Sequence, residues 1–277
     1  MDQNRMPLVE ALQQFREEAP AYFRIPGHRF ERGLDEALNG ASLAAYDLSE
    51  AEGLDDLHHA EGVIAEAQRL AAETWKAKKT FFLVNGTTCG NEAMVLSSVK
   101  EGEKIIVPRN VHKSVLMGLI LCGATPVYVM PEYSTKWQMW GGVTPETIEK
   151  AFAETPDAKA VLLVSPTYYG LCSDLQAIAE ICHCHNAALL VDEAHGSHLY
   201  FSEQLPLGAL ESGADACAQS IHKTAGSFTQ SSFLSLGSGR LRTGKRRGGE
   251  KGRFRGWPEK YKKNKNDIKS NTIARLL

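Results

Sequence analysis

Five short apolar runs recur along the middle of the chain: TFFLV at 80–84, KIIVP at 104–108, PVYVM at 126–130, AVLLVSP at 160–166 and AALLVDE at 187–193. Each is too short for a buried helix and apolar on both faces. Between them lie longer segments with helical spacing. Strands buried on both faces read this way, and crossover helices are what cover the two faces. The expected class is α/β with a mostly parallel sheet, its helices at 91–101, 112–122, 145–153 and 174–185. Upstream, AEGVIAEAQRLAAETWKA at 60–77 reads as an amphipathic helix, and residues 7–18 set Leu8, Leu12 and Phe15 at helical spacing. No internal repeat is present.

Charge divides the chain further. Residues 237–277 hold 14 Lys+Arg against 3 Asp+Glu, a balance of +11; the rest holds 17 against 30, a balance of −13. The expected organisation is an N-terminal helix and arm at 1–45, an α/β large domain at 46–236, and a basic, disordered tail at 237–277. No apolar run approaches the roughly 18 residues of a membrane span. The first twenty residues carry acids and no apolar core, unlike a signal peptide. Six scattered cysteines suit a reducing compartment, so the expected location is the cytoplasm.

In a parallel sheet, ligands gather at the carboxyl ends of the strands. Four such ends carry polar clusters. Asn85-Gly86-Thr87-Thr88-Cys89-Gly90-Asn91 sits between a strand and a helix; its glycines, hydroxyls and helix N-terminus suit an anion, and equally an ordinary N-cap. Asp192, Glu193 and His195 close an apolar run, where a carboxylate can pair with the protonated ring nitrogen of a cofactor. Lys223 lies among Ser220, His222, Thr224 and Ser227. A lysine so placed can form a Schiff base if partial burial frees its amine, although most lysines are solvated. His112, after Pro108-Arg109-Asn110, can stack on a flat ring or cap a helix.

Together with DDLHHAEG at 55–62, SPTYYG at 165–170 and a PGH near the start, the runs VNGTTCGNEAM, PRNVHKS, VDEAHGSH and SIHKTAGSFTQSS resemble the Orn/Lys/Arg decarboxylases over about residues 7–236. That resemblance implies a fold-type-I large domain binding pyridoxal 5′-phosphate (PLP), and decarboxylation of arginine, lysine or ornithine to its amine and CO2, within polyamine biosynthesis. It matches Lys223 to the Schiff-base lysine, Asp192 to the partner of the pyridine nitrogen, and His195 to the ring edge. His112 matches the stacking histidine. Thr88 and Cys89 match phosphate-binding positions, with Cys89 the poorer donor; Ser220 and His222 help hold the phosphate, and Thr167 lies near the ring. It also implies a homodimer or higher homo-oligomer. An aminotransferase, aldolase or lyase shares the lysine and the acid, and is the competing enzyme reading.

Other motifs carry less. Gly239 to Lys245 imitates a phosphate loop, but Arg246 stands where Ser or Thr would bind Mg²⁺ and no apolar strand precedes it. Cys182-His183-Cys184-His185 imitates a metal cluster, yet neighbours on a helix point apart, so no metal is expected. His58-His59 is read as structural. The basic tail could bind nucleic acid, but it contains no folded module for that task. The family is longer than this chain and continues past the lysine motif into a domain that closes over substrate. Here the resemblance fades near Leu236, as a truncation or a frameshift would make it. The expectation is a large domain incomplete on its C-terminal side, with weak PLP binding and little turnover.

Overall fold

A computed structural model describes residues 55–237. The helix read at 7–18, the PGH segment and the basic tail lie outside them, apart from Gly237. The described chain begins with α1 (Val63–Thr74), then β1 (Lys79–Leu83), α2 (Gly86–Ser98), β2 (Lys104–Pro108), α3 (Lys113–Cys122) and β3 (Thr125–Val129). A small hairpin, β4 (Tyr133–Ser134) and β5 (Met139–Trp140), leads to α4 (Pro145–Glu154), β6 (Ala160–Val164), α5 (Leu175–Cys184) and β7 (Ala188–Asp192). β8 (Ala216–Ser220), the one-turn helix α6 (Ile221–Thr224) and β9 (Ser232–Leu236) complete it.

Seven strands form one sheet in the order β1-β9-β8-β7-β6-β2-β3. Strands β8, β7, β6, β2 and β3 are parallel to their neighbours; β9 runs antiparallel between β1 and β8. Alternate strand residues feed two cores. Ala160, Leu162, Ala188 and Leu190 face Ala93, Met94 and Val95 of α2 and Val115 and Leu119 of α3. Val161, Leu163, Leu189 and Val191 face Ile148 and Phe152 of α4 and Ile178 and Cys182 of α5. Helices therefore cover both faces, which is why the central strands are apolar throughout.

Connections leave β2 toward β3 on one side, and from β6 the chain builds the other way through β7 and β8. The crevice between the carboxyl ends of β2 and β6 is thus the switch point of the sheet, where open α/β folds bind ligands.

Three sequence expectations are corrected. The run 126–130 reads as buried on both faces, but β3 is an edge strand with Tyr128 exposed, and Met130 beyond it is exposed too. The helix expected at 91–101 starts at Gly86, so Thr88 and Cys89 lie on its first turn, not in a loop before it. On that helix Gly90 lets α2 lie close to the sheet: a Cβ there would sit 2.8 Å from Leu83 Cδ1 and 3.1 Å from Ala218 Cβ. Finally, β8 and β9 carry no long apolar run and were not among the expected strands.

Two of the quoted motifs are structural. Asp55 folds back so that its carboxylate accepts from the N–H groups of Glu61, Gly62 and Ile64 at the start of α1. The Cys-His-Cys-His run fans apart as expected for a helix: Cys182 is buried in a core, Cys184 is exposed, His183 Nε2 lies 3.1 Å from Asp215 Oδ2, and His185 stacks on Phe152.

Candidate active site

The polar clusters named from sequence converge at one end of the sheet, where β1, β2, β6, β7 and β8 all finish. β9 starts at this end too, since Ser232 pairs with both Leu83 and Ser220.

The turn from β1 into α2 uses two successive left-handed residues, Asn85 (φ 72°) and Gly86 (φ 73°). Asn tolerates that conformation and Gly adopts it without strain. No side chain caps α2. The amides of its first turn have no partner within the helix, and the dipole adds partial positive charge there. A Cβ on Gly86 would meet only Ser232 Oγ, at 3.9 Å, so the space above the turn is open. Ser232 Oγ and Ser227 Oγ are buried and unpartnered. Thr87 Oγ1 and Ser220 Oγ lie 2.9 Å apart, joining the α2 turn to the end of β8. Thr88 is half-buried on the same turn. Cys89 packs against the α2–α3 core, and burial pushes its thiol up to about 11. The thiol therefore stays protonated and can offer an anion only a weak S–H donor.

Asp192 ends β7 and is almost wholly buried. Its Oδ1 accepts from Ala194 N at 3.2 Å and its Oδ2 from Asn91 Nδ2 at 2.8 Å. Burial raises its pKa, offset in part by the Asn91 and Ala194 hydrogen bonds and by the charges of Lys223 and His112. The carboxylate has lone pairs to spare and a raised affinity for a proton, which suits it to accept one further charged N–H.

Lys223 lies on the one-turn α6, half-buried, with Nζ 3.2 Å from His195 Nε2. Burial lowers its pKa, against the attraction of Asp192. Burial and the Lys223 charge also lower His195, to about 4. Near neutral pH the imidazole is therefore uncharged and accepts a hydrogen bond from the amine. Ser197 and Thr224 hydroxyls are hydrogen-bonded, tying α6 to the loop after β7.

His112 caps α3, its Nδ1 accepting from Ser114 N, and its ring is exposed. The capping and stacking readings are therefore compatible, because the cap uses one edge of the ring and leaves its face free. Thr167 is buried; its Oγ1 accepts from Leu171 N at 3.2 Å, leaving the hydroxyl hydrogen to donate. His222 Nδ1 donates to Ser231 O at 3.0 Å, so a further ligand can meet this ring only at Nε2.

Sequence reasoning missed four participants. Thr87 and Ser232 face the anion end. Asn91 and Ser114 lie beneath the cleft, where Asn91 Nδ2 contacts Ser114 Oγ at 3.0 Å as well as Asp192. Both stood inside quoted motifs, but a polar residue on a helix gives no sign of a partner far along the chain. Behind Asp192 lies a second buried acid, Glu193. It accepts from Tyr200 Oη (2.9 Å), Gln219 Nε2 (2.9 Å) and Ala209 N (2.7 Å), and burial raises it to about 7.

A phosphorylated pyridine ring fits these residues. An uncapped helix N-terminus with unpartnered serine hydroxyls lies at one end, a buried carboxylate and an exposed imidazole are available to the ring, and a partly desolvated lysine amine lies nearby.

Comparison with known proteins gives the same direction. The sequence pattern of the Orn/Lys/Arg decarboxylase major domain matches residues 6–248, running past Leu236 into the basic stretch. Arginine decarboxylase of Halalkalibacterium halodurans is 45% identical over 240 residues, covering 86% of this chain and 49% of that protein. Arginine decarboxylase of Bacillus subtilis is 42% identical over 242 residues, with the same two shares. The solved lysine decarboxylase A of Pseudomonas aeruginosa superposes with a TM-score of 0.62 at 26% identity, over 85% of this chain and 35% of its own. The chain spans about half the length of the curated relatives it matches.

Proposed function

The chain belongs to the Orn/Lys/Arg decarboxylase family, and from that premise we propose that it binds PLP and releases CO2 from a basic amino acid, with arginine as substrate. The observation that carries this reading is the pairing, in one cleft, of a partly desolvated Lys223 amine with the buried Asp192 carboxylate. The choice of arginine rests on the names of the relatives at 42–45% identity.

Bound PLP supplies an electron sink for the pair left behind when the substrate's Cα–carboxylate bond breaks. The residues do the rest. Asp192 accepts the pyridine N–H and keeps that proton in place, because its buried carboxylate gains more from a cationic partner than a solvated one would. Lys223 offers a free amine at lower pH than a solvated lysine. His195 Nε2 accepts the hydrogen bond from Lys223 and so orients its lone pair. His112 covers one face. The first-turn amides of α2, with Thr88, Cys89, Ser220 and His222, would hold the phosphate. Thr167 donates its hydroxyl hydrogen near the ring.

We further propose a homo-oligomer in the cytoplasm. The apolar face of α3 supports the first part: Ile120 is 72% and Leu121 62% exposed, and β3 beside it presents Tyr128. Six free cysteines support the second. Among the described residues no helix is long and apolar enough to cross a membrane.

The test is to supply the purified chain with PLP and each of arginine, lysine and ornithine, following CO2 and amine. CO2 from arginine, abolished by Lys223→Ala, is the expected result. Keto-acid formation without CO2 would instead favour an aminotransferase. A folded chain that holds no PLP would end the proposal.

A further inference from the structure

Beneath the cleft a run of hydrogen bonds joins Asp192 to His112. Asn91 Nδ2 lies 2.8 Å from Asp192 Oδ2 and 3.0 Å from Ser114 Oγ. Ser114 Oγ lies 2.8 Å from His112 Nδ1, and Ser114 N donates to the same nitrogen at 3.2 Å. Three elements meet here: the end of β7, the middle of α2 and the start of α3. Asn91 and Ser114 are each 1% exposed, so water does not compete for these bonds.

Donor and acceptor roles follow from counting hydrogens. The Asn91 edge facing the Asp192 carboxylate must be its NH2, because turning the amide over would set oxygen against oxygen. Asn91 Oδ1 is buried without a partner, so the amide is held by what it donates to. Its two hydrogens go to Asp192 and to Ser114. The Ser114 backbone N–H donates to His112 Nδ1, which makes that nitrogen an acceptor, so Ser114 Oγ sends its single hydrogen there while accepting from Asn91. Two donors on one ring nitrogen leave no place there for a proton, so the neutral ring carries its hydrogen on Nε2.

We propose that Asn91 is a positioning residue that fixes the Asp192 carboxylate with one amide hydrogen and, with the other, sets the tautomer of His112 through Ser114. The consequence for the reaction rests on the PLP reading; the hydrogen-bond geometry does not. With Nδ1 filled, His112 is a donor at Nε2. Through that hydrogen it can hold an oxygen of cofactor or substrate. The amide of Asn91 also interrupts the run, since it donates in both directions and passes no proton from Asp192 toward His112.

Long-range proton–nitrogen spectra of the full chain with 15N-labelled histidine, without added PLP, read the tautomer directly; His112→Gln assigns the signal. The expected wild-type result is an unprotonated Nδ1 and a protonated Nε2. In Asn91→Leu the Ser114 hydroxyl is no longer held by its donor and is free to turn and accept from Nδ1, leaving the Ser114 backbone N–H as the remaining donor there, so the Nδ1 resonance shifts partway toward the protonated value. Ser114→Ala removes the hydroxyl donor and shifts it the same way. An Nδ1-protonated ring in wild type overturns the proposal, as does an unmoved His112 signal in both variants when each retains the wild-type circular dichroism. Failure of the wild-type chain to bind PLP in a separate absorbance titration would count against the proposed function, and would leave the tautomer result standing.

Discussion

Lys223 Nζ and His195 Nε2 are 3.2 Å apart, and the lysine charge helps keep the imidazole uncharged. Burial is the larger cause of the low pKa of His195, and the Lys223 charge adds to it. Removing that charge in Lys223→Ala relieves the second cause only. The His195 titration midpoint then rises from about 4 toward the ordinary 6.5 without reaching it. Proton NMR of the imidazole across that pH range, on the chain without cofactor, checks this. A midpoint that falls or stays still would show that the two groups are not in contact.

Two buried groups pull stability in opposite directions with pH. His195 is depressed in the folded state, from 6.5 to about 4, so its contribution is complete above 6.5 and is lost as pH falls toward 4. Glu193 is raised, from 4.5 to about 7, so its contribution is complete below 4.5 and is lost as pH rises toward 7. Urea midpoints measured through this window separate them. His195→Gln makes stability fall more steeply with pH, and Glu193→Gln makes it fall less, with the buried Asp192 still acting in the direction of Glu193.

The Glu193 carboxylate also accepts from three donors: Tyr200 Oη, Gln219 Nε2 and Ala209 N. Glu193→Leu strands them in the interior and is expected to cost about 3–5 kcal/mol. Glu193→Gln costs less, about 1–3 kcal/mol, because its oxygen keeps Ala209 N and a turned Gln219 amide can receive the new NH2, while the Tyr200 hydroxyl hydrogen loses its acceptor. Equal losses in the two variants, read by chemical unfolding, would contradict this account.

Asp192→Asn keeps the shape of the acid and removes its charge. PLP is still held by the α2 turn and Lys223, so the absorbance band survives. Turnover falls about 10²-fold or more, the usual scale for losing a pre-placed electrostatic partner. Turnover close to wild type would remove Asp192 from the proposed chemistry.

Gly90→Ala forces α2 away from Leu83 and Ala218. Overpacking of this kind costs about 1–3 kcal/mol. Because the same helix carries the anion end of the cleft, PLP affinity drops along with the melting temperature. A stable variant with unchanged affinity would show that the helix can shift without disturbing its N-terminus.

How much of this was readable beforehand depended on what kind of signal each residue leaves. β1, β2, β6 and β7 are legible because continuous apolar runs need cover on both faces. The run around Tyr128 looks the same but lies at the sheet edge, since periodicity cannot say which strands end up central. ACAQS and SFLSL went unread: a strand of small and polar residues suits close approach by α2 and leaves no apolar run. At the site, Lys223, Asp192, His195, His112 and Ser220 could be named because they stand at strand ends. Asn91 and Ser114 could not, because their meaning lies in partners brought to them only by folding.

The placing of β9 has a last consequence, for the order in which the site comes into being. Among the described strands β1 pairs with β9 alone, which sets Leu83 against Ser232 across most of the described chain. As the polypeptide leaves the ribosome, β1 and the α2 turn emerge early and have no strand to pair with until Leu236 is out. Such distant pairings form slowly, and meanwhile Phe81 and Leu83 lack their covering, which makes the nascent chain a client for chaperones. The anion end and the lysine end of the cleft are therefore brought together in the same late event.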